Sequence, residues 1–321
     1  MEIDAMNQKE AMELANECVE ELAETLREEE PESLTRYLDA MAKFHRYSLG
    51  NLLMIIRQRP DAEQVAGFRA WKELGRWVRP GEKGIAIMAP MVHRQKQKAS
   101  AESSDTKQAD EFAQPGEASD NGAKELKRRL VKGFRVVHVF DVKQTDGAEL
   151  PHRSELRGDP GATLDSLIQV FRTLGIGIVH GTLPMGTQGA SFGGRVMLTP
   201  GMDPVTEFQV LTHELAHELL HQGAEELHQG LPMRVLETEA EAVAYVVCKA
   251  NGIDAVSVSN EYIRMCQGDA KTIEESFTRI RSAAAMILSL MEEADEARRV
   301  RRDAHRQDAG VAVAADWIHA A

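Results

Sequence analysis

Apolar residues in the first part of the chain recur at helical spacing. Between residues 8 and 30 they return every three or four positions, the period of an amphipathic helix, and Pro31 ends the pattern. Similar patterns cover 34–44 and 48–58, and a shorter one surrounds Trp71. We therefore expect three helices followed by a short fourth one. The apolar positions of the first helix are Ala11, Leu14, Ala15, Cys18, Val19, Leu22, Ala23 and Leu26.

Two apolar runs rich in β-branched residues then predict strands. They are GIAIMAP (84–90) and FRVVHVFDV (134–142). Residues 95–124, between them, contain almost no apolar side chains, so we predict a disordered insertion that cannot bury enough surface to fold. If the two strands pair, the insertion is a loop within the first domain. The domain boundary then falls in 150–162, where Pro and Gly cluster.

The second half alternates helical and strand-like patterns. Asp203 and Pro204 suit the N-cap and first turn of a helix. We predict an α+β protein with one domain over 1–150, a second over 160–300 and a charged tail over 301–321 that frays. The elements expected in the second domain are helices over 162–175, about 204–222, 233–250 and 271–300, and strands over 176–180 and 193–199.

The composition indicates a cytoplasmic protein that does not enter a membrane. No run of about 18 apolar residues exists. The acidic, amphipathic N-terminus lacks the features of a signal peptide. The three cysteines, Cys18, Cys248 and Cys266, are scattered within helical patterns, which favours buried thiols in a reducing compartment over a disulfide framework.

Charge is distributed unevenly along the chain. The net charge is −13, yet residues 34–98 carry 13 Lys and Arg against five acidic residues, a local charge of +8. Basic residues interleaved with aromatic ones favour single-stranded nucleic acid, where phosphates meet cations and bases stack on rings. The alternative is that the aromatics form a core and the charges a solvated face. The segment's aromatic residues are Tyr37, Phe44, Tyr47, Phe68, Trp71 and Trp77.

The sequence LTHELAHELLH (211–221) contains the H-E-x-x-H spacing of a metal site. His213 and His217 are four residues apart, so both face the same side of a helix and suit Zn²⁺. Glu214 can serve as the general base that takes a proton from water activated by the metal. The alternative is a solvated helix face, but a buried stripe indicates that the helix packs in a core. That stripe is Phe208, Leu211, Leu215 and Leu219.

LETEAEAVAYVVC (236–248) supplies the predicted third ligand. Glu237 and Glu241 are four residues apart on one helix face, and Glu239 points to another. A catalytic site open to water needs one more carboxylate or imidazole, so we assign Glu237 as the ligand. Glu241 is assigned to accept a hydrogen bond from a ligand histidine and fix its tautomer. Ala240 and Ala244 are small enough to let the two helices approach.

Two other histidines are rival ligands. His221 lies one turn further along the same helix, and three histidines in a row cannot all surround one tetrahedral ion. His228 stays open as a ligand, a proton donor or a simple loop residue. The H-E-x-x-H-x-x-G-x-x-H class is excluded because Leu220 and Gly223 occupy its Gly and His positions. GASFGGRVMLT (189–199) is a candidate edge strand for pairing with an extended peptide.

Two sets of motifs resemble one known family. Residues 47–90, followed by VHVFDVKQTDG (137–147), resemble the N-terminal domain of the ArdC-like antirestriction proteins of mobile elements. LTHELAHELLH with LETEAEAVAYVVC resembles their C-terminal domain, which is related to the ImmA/IrrE zinc peptidases. The resemblance implies a small α+β domain that binds single-stranded DNA and a gluzincin-like metallopeptidase domain with Glu237 as ligand. It points to DNA-binding candidates at Tyr47, Asn51, Gln58, Trp71, Lys72, Arg76 and Lys83, with Ser48 and Gly75 in the same stretches. Arg46, from the basic segment, is a further DNA-binding candidate.

We therefore expect a single-stranded-DNA-binding zinc metallopeptidase of antirestriction type. It would cleave proteins, including DNA-bound ones whose local concentration its tether raises, or shield incoming single strands. Two alternatives stay open. One is a DNA-coating protein with a non-catalytic zinc site, and the other is a regulatory peptidase that cleaves a repressor.

Overall fold

The computed structural model describes residues 7–27, 31–93, 130–150, 160–222, 232–253 and 270–318. The predicted insertion over 95–124 and His228 lie outside these residues. Contacts divide the chain into two compact units. Unit 1 is Met1–Glu24 with Arg46–Leu150, and unit 2 is Thr25–His45 with Pro151–Ala321. The division therefore differs from the sequence-based one at residues 25–45, which cluster with the second unit instead of the first.

The protein is a mixed α+β chain, as predicted. The last helix is longer than the sequence suggested: it begins at Ala270 and continues through the segment expected to fray, to Ile318. The helices in chain order are α1 (Gln8–Arg27), α2 (Pro31–Phe44), α3 (Leu49–Gln58), α4 (Phe68–Glu73), α5 (Pro160–Leu174), α6 (Pro204–Leu220), α7 (Met233–Ala250) and α8 (Ala270–Ile318). The strands are β1 (Val65–Gly67), β2 (Arg76–Val78), β3 (Ile85–His93), β4 (Leu130–Asp141), β5 (Thr145–Gly147), β6 (Gly177–His180), β7 (Gly189–Ser191) and β8 (Arg195–Leu198).

Unit 1 is built on an antiparallel sheet with strand order β1-β4-β3. Ile85 pairs with Val139 and Met88 with Val136, which confirms the predicted pairing of the two strands across the insertion. Helix α3 packs on β3 and buries an apolar run from Leu52 to Ile56. Strands β2 and β5 form a separate antiparallel pair.

A buried carboxylate closes the corner after β4. Asp141 is fully buried, and its side chain accepts hydrogen bonds from the backbone N–H groups of Glu63, Gln64 and Lys143 over 2.7–3.1 Å. The side chain of Gln144 returns to accept from the Asp141 N–H at 2.9 Å. Because each buried polar group has a partner, the FDVKQT stretch is a structural corner between strands β4 and β5.

Unit 2 is a helical layer with a small mixed sheet. Helix α6 packs against α5 and α7, while α7 also packs against α8 and α2. Strand β8 lies at the centre of the sheet, parallel to β6 and antiparallel to β7, which makes β7 an edge strand. The core is apolar and includes Phe171, Phe208, Leu215, Val243, Phe277 and Ile287.

Two of the three cysteines lie within the described residues. Cys18 and Cys248 are buried free thiols, and burial raises the pKa of Cys18 to about 11 and that of Cys248 to about 12. Cys266 lies outside the described residues.

Among the helices that the structure describes, none combines the length and apolarity needed to cross a bilayer.

Candidate metal centre

Helix α6 begins at a well-formed cap and carries the H-E-x-x-H motif on a side that borders its buried stripe. The Asp203 carboxylate accepts hydrogen bonds from the N–H groups of Val205 and Thr206 at 3.0 and 3.1 Å. Pro204 stands in the first turn, where a missing N–H has no consequence. The stripe residues Phe208, Leu211 and Leu215 are fully buried and fix the rotation of the helix. His213 and His217 are consequently half-buried on one face.

The three predicted ligands meet at one point. His213 Nε2 and His217 Nε2 are 3.1 Å apart. Glu237 Oε2, from α7, lies 3.5 Å from the first nitrogen and 3.6 Å from the second. Donor atoms at bonds of about 2.0–2.1 Å around a tetrahedral ion are separated by about 3.3 Å. The triangle of donors therefore fits a metal ion, and among the described residues these three form the cluster with ligand geometry.

Burial favours the neutral form of both imidazoles, and a neutral ring has a lone pair available for a metal ion. Burial lowers the pKa of His217 to about 4, and the neighbouring His213 contributes in the same direction. The pKa of His213 is lowered as well, again mainly by burial. Neutral imidazole is the form that binds metal ions, so the site is prepared for a cation at neutral pH.

Glu214 lies beside the candidate ligands, and its pKa is close to neutral pH. Its side chain is buried, and burial together with the charges of Glu237 and Glu218 raises its pKa to about 7. A backbone hydrogen bond from Ser191 of β7 opposes this shift. A carboxyl group whose pKa lies near neutrality can both accept and release a proton, as a general base must.

The edge strand β7 lies close against this carboxylate. A Cβ atom built on Gly189 would come within 2.5 Å of Val210 Cγ1 and 2.8 Å of Glu214 Oε1. Only glycine permits such an approach of backbone to helix. The run predicted as one edge strand over 189–199 therefore divides in two. Residues 189–191 form the edge strand beside the predicted base, and residues 195–198 form the central strand β8.

Glu218, which the sequence reading overlooked, ties the turn after β7 to α6. Its Oε1 accepts hydrogen bonds from Ser191 Oγ at 2.7 Å and Gly193 N at 2.9 Å, and its Oε2 accepts from Gly194 N at 2.6 Å. Gly193 and Gly194 have φ values of 74° and 79°, a left-handed backbone that favours glycine. In the sequence, the pair Gly193-Gly194 is the feature that could have predicted this tight turn and its contact with α6.

The role predicted for Glu241, to accept a hydrogen bond from a ligand histidine, stays a prediction. Glu241 lies on the exposed surface of α7. The chain of contacts from His217 runs through the ring of His221, whose Nδ1 lies 2.9 Å from His217 Nδ1, to Glu239. Glu239, predicted to lie on another face of α7 than Glu237 and Glu241, is fully buried. His221 therefore lies behind a ligand histidine and is not one of the three clustered donors.

Several DNA-binding candidates in unit 1 direct their polar atoms into the fold. Tyr47 donates from its hydroxyl to the Val65 carbonyl at 3.0 Å, and Trp71, fully buried, donates from Nε1 to the Phe140 carbonyl at 2.9 Å. Arg76 donates to Thr145 and to the carbonyl of Ala148. Asn51 and Gln58, on α3, hydrogen-bond the backbone of β3. These five side chains shape the unit.

The other candidates lie at the surface. Arg46, Lys72 and Lys83 are exposed. Two aromatic residues that the sequence reading did not separate from the core are also exposed: Phe68 by 57% and Trp77 by 58%. Trp71 is buried whereas Trp77 is not, so the aromatic residues of this segment divide between core and surface.

The fold and the cluster define an α+β chain in which H-E-x-x-H on one helix and a carboxylate on the next converge. Residues 8–140 match the family model described as the N-terminal domain of anti-restriction factor ArdC. The resemblance of the N-terminal half to ArdC is thereby confirmed, while the relationship of the C-terminal half to ImmA/IrrE peptidases stays a prediction.

Individual relatives add context. The chain is 26% identical over 291 residues to the uncharacterized protein pXO2-81 of Bacillus anthracis; the match covers 82% of this chain and 48% of that protein. The chain thus spans about half the length of the curated relative that it matches. Two crystal structures of the antirestriction ArdC protein from the R388 plasmid, metal-free and Mn(II)-bound, align with TM-scores of 0.42 and 0.40 and identities of 18% and 20%. They cover 77% of this chain and 85% and 88% of theirs.

Proposed function

We propose that this chain is a single-stranded-DNA-binding protein of antirestriction type whose second unit holds a metal ion. The observation that carries the DNA-binding half is the match of residues 8–140 to the ArdC N-terminal domain. Within that stretch, residues 46–93 of unit 1 carry eight Lys and Arg against four acidic residues, a local charge of +4 that supports an anionic partner. Coating of incoming single strands would shield them from nucleases.

Exposed aromatic rings beside cations support a single-stranded partner over a duplex. Phe68 and Lys72 are four residues apart on α4, so they share one face of the helix, and both are exposed. Trp77, exposed by 58%, follows on β2, which packs with α4. Unstacked bases can lie on such rings while phosphates meet the ammonium group, and a duplex does not offer its base faces. We propose Phe68, Lys72 and Trp77 as the principal contact residues.

His213, His217 and Glu237 would hold the metal ion, and we propose Zn²⁺ because two imidazoles and one carboxylate suit it. The donor spacing of 3.1–3.6 Å supports this set. When bound, such an ion supplies Lewis acidity and lowers the pKa of a water molecule.

A second candidate function, zinc-dependent peptide hydrolysis, is favoured by Glu214. This carboxyl group is buried, has a pKa of about 7 and stands next to the ligand His213. It would take a proton from the attacking water and return it to the leaving amine. The edge strand β7 would pair with an extended segment of a protein or peptide substrate. In this interpretation unit 2 is a gluzincin-like peptidase, and DNA binding would raise the local concentration of DNA-bound targets.

The deciding experiment measures binding of the full chain to fluorescent single- and double-stranded oligonucleotides across a salt series. We expect a preference for single strands and an affinity that falls steeply with salt. Binding without strand preference or salt dependence would contradict the proposal. Two assays of Glu214→Gln then separate the candidate functions. Shielding of the strand, measured by nuclease digestion, should persist in this variant. Cleavage of a DNA-bound protein, measured separately, should be lost.

A further inference from the structure

We propose that His221 and Glu239 form a positioning relay that fixes the tautomer and orientation of His217. The proposal rests on the metal centre proposed above and concerns residues beyond its three ligands. His217 directs Nε2 towards His213 and Glu237, so its Nδ1 atom points away from the cluster. That second nitrogen meets the ring of His221 at 2.9 Å.

One arrangement of protons satisfies the whole chain of contacts. If the lone pair of His217 is on Nε2, where an ion would bind, the single proton of the neutral ring is on Nδ1. That N–H then donates to Nδ1 of His221, which must carry a lone pair. The proton of His221 is consequently on Nε2, which lies 3.3 Å from Glu239 Oε2. The three groups therefore form a directed series of donor and acceptor that ends on a carboxylate.

Glu239 is anchored as the terminal acceptor. It is fully buried on α7, and its other oxygen, Oε1, accepts hydrogen bonds from Ser276 Oγ and Arg279 of α8. Arg279 also forms an ion pair with this oxygen, so the Glu239 side chain has a cationic partner within the same unit. A buried carboxylate with partners on two sides can hold a neutral imidazole in one orientation. Residues of α6, α7 and α8 thus act together on one ligand.

The alternative interpretation is that these contacts only hold helices α6, α7 and α8 together and stabilise unit 2. The two interpretations differ in what they predict for His217. A relay sets which nitrogen of His217 carries the proton and thereby its readiness to bind an ion. Contacts that only join the helices affect the stability of unit 2 and do not determine which nitrogen of His217 carries the proton.

The test uses the full chain and three variants. His221→Phe keeps a ring and removes the acceptor. His221→Asn restores an acceptor near the position of Nδ1, and His180→Phe removes a half-exposed histidine of the same unit as a matched control. Zn²⁺ affinity is measured by competition with a chelator, and ring ¹⁵N NMR of the metal-free chain reports the His217 tautomer. Circular dichroism checks that each variant is folded.

We expect His221→Phe to weaken Zn²⁺ binding by about 10- to 100-fold and to abolish the preference for the Nδ1–H form of His217. His221→Asn should recover part of both properties, and His180→Phe should retain both. The relay is wrong if His221→Phe stays within twofold of the parent affinity, or if His217 in the parent chain carries its proton on Nε2. The second readout needs no variant, so a variant that fails to fold leaves the proposal decidable.

Failure of the metal centre itself gives a different result. In that case His213→Ala would bind Zn²⁺ as well as the parent chain does. If His213→Ala abolishes binding while His221→Phe does not, the metal centre stands and the relay falls.

Discussion

The side-chain amide of Asn51 pairs in both directions with the backbone of Met88. Its Nδ2 donates to the Met88 carbonyl and its Oδ1 accepts from the Met88 N–H, each over 2.8 Å. Gln58, two turns along α3, makes the same pair of bonds to Ala86 at 2.8 and 2.9 Å. The outer edge of β3 would otherwise present unpaired backbone groups. The two amides therefore cap that edge from within the unit.

Asn51→Ala should destabilise the chain by about 1–3 kcal/mol, because it leaves the N–H and carbonyl of Met88 without their partner. Urea denaturation measures this change in the free energy of unfolding. Gln64→Ala, at an exposed side chain of the same unit, should change it by less than about 0.5 kcal/mol. Affinity for single-stranded DNA should persist in folded Asn51→Ala; a stable variant that has lost DNA binding would instead make Asn51 a DNA contact.

Phe68→Ala and Trp77→Ala should each weaken single-stranded DNA binding by about 5- to 150-fold, since the stacking of one base on a ring contributes about 1–3 kcal/mol. Fluorescence anisotropy with an oligo-dT strand measures the change. Met12→Ala is the control, because Met12 is an exposed apolar residue of α1 in the same unit, 51% accessible. Equal effects in all three variants would show that the rings have no specific role.

Lys72→Gln should act on the same surface through charge. Loss of one phosphate contact should reduce the slope of log affinity against log salt concentration by about 0.7 on a single strand. The measurement is the salt series described above, repeated with the variant. An unchanged slope would remove Lys72 from the contact surface while leaving Phe68 and Trp77 untested by that result.

Glu237→Gln should weaken Zn²⁺ binding strongly, because an amide oxygen lacks the negative charge of the ligand carboxylate. Glu241→Gln is the matched control, one turn further along α7 and exposed, and should bind Zn²⁺ as the parent does. Isothermal titration with Zn²⁺ and with Mn²⁺ measures both. Equal losses in the two variants would return Glu241 to the site.

Glu214→Gln should retain the metal ion and lose any peptide hydrolysis, because Gln cannot accept a proton from water. The assay is cleavage of a DNA-bound protein by metal-loaded chain, with metal content determined on the same sample. Undiminished cleavage by the variant would assign the activity to another group or to a contaminant.

The raised pKa of Glu214 also predicts how stability depends on pH in the metal-free chain. The folded-state pKa is about 7 against an ordinary value of 4.5, so the folded state binds more protons between these two values. Stability from this group is present below pH 4.5 and is lost as the pH rises through 7. From pH 4.5 to 8, Glu214→Gln should therefore gain about 1–2 kcal/mol on the parent chain, allowing for solvent screening. Denaturation in a chelator at both pH values tests the sign.

Much of the fold follows from local patterns in the chain. The helical spacing in 8–30 and the Asp203-Pro204 start predict helices that the structure contains, since a period of 3.6 residues and a cap act within a few residues. The alternation of apolar residues likewise predicts the β3–β4 pair. The charged composition of 301–321 predicted a frayed tail, but α8 continues to Ile318. No Pro interrupts the helix there, and ion pairs such as Arg299 with Glu296 stabilise its polar part.

The sequence by itself determined that His213 and His217 share a face, because spacing along one helix fixes the direction of both side chains. It also indicated an acid from a second helix. Only the tertiary structure decided that a chain of contacts runs from His217 through His221 to Glu239, because that depends on how α6, α7 and α8 pack together. The same reason separates buried Trp71 from exposed Trp77: both are aromatic residues in a basic segment, and only long-range packing decides which ring meets water.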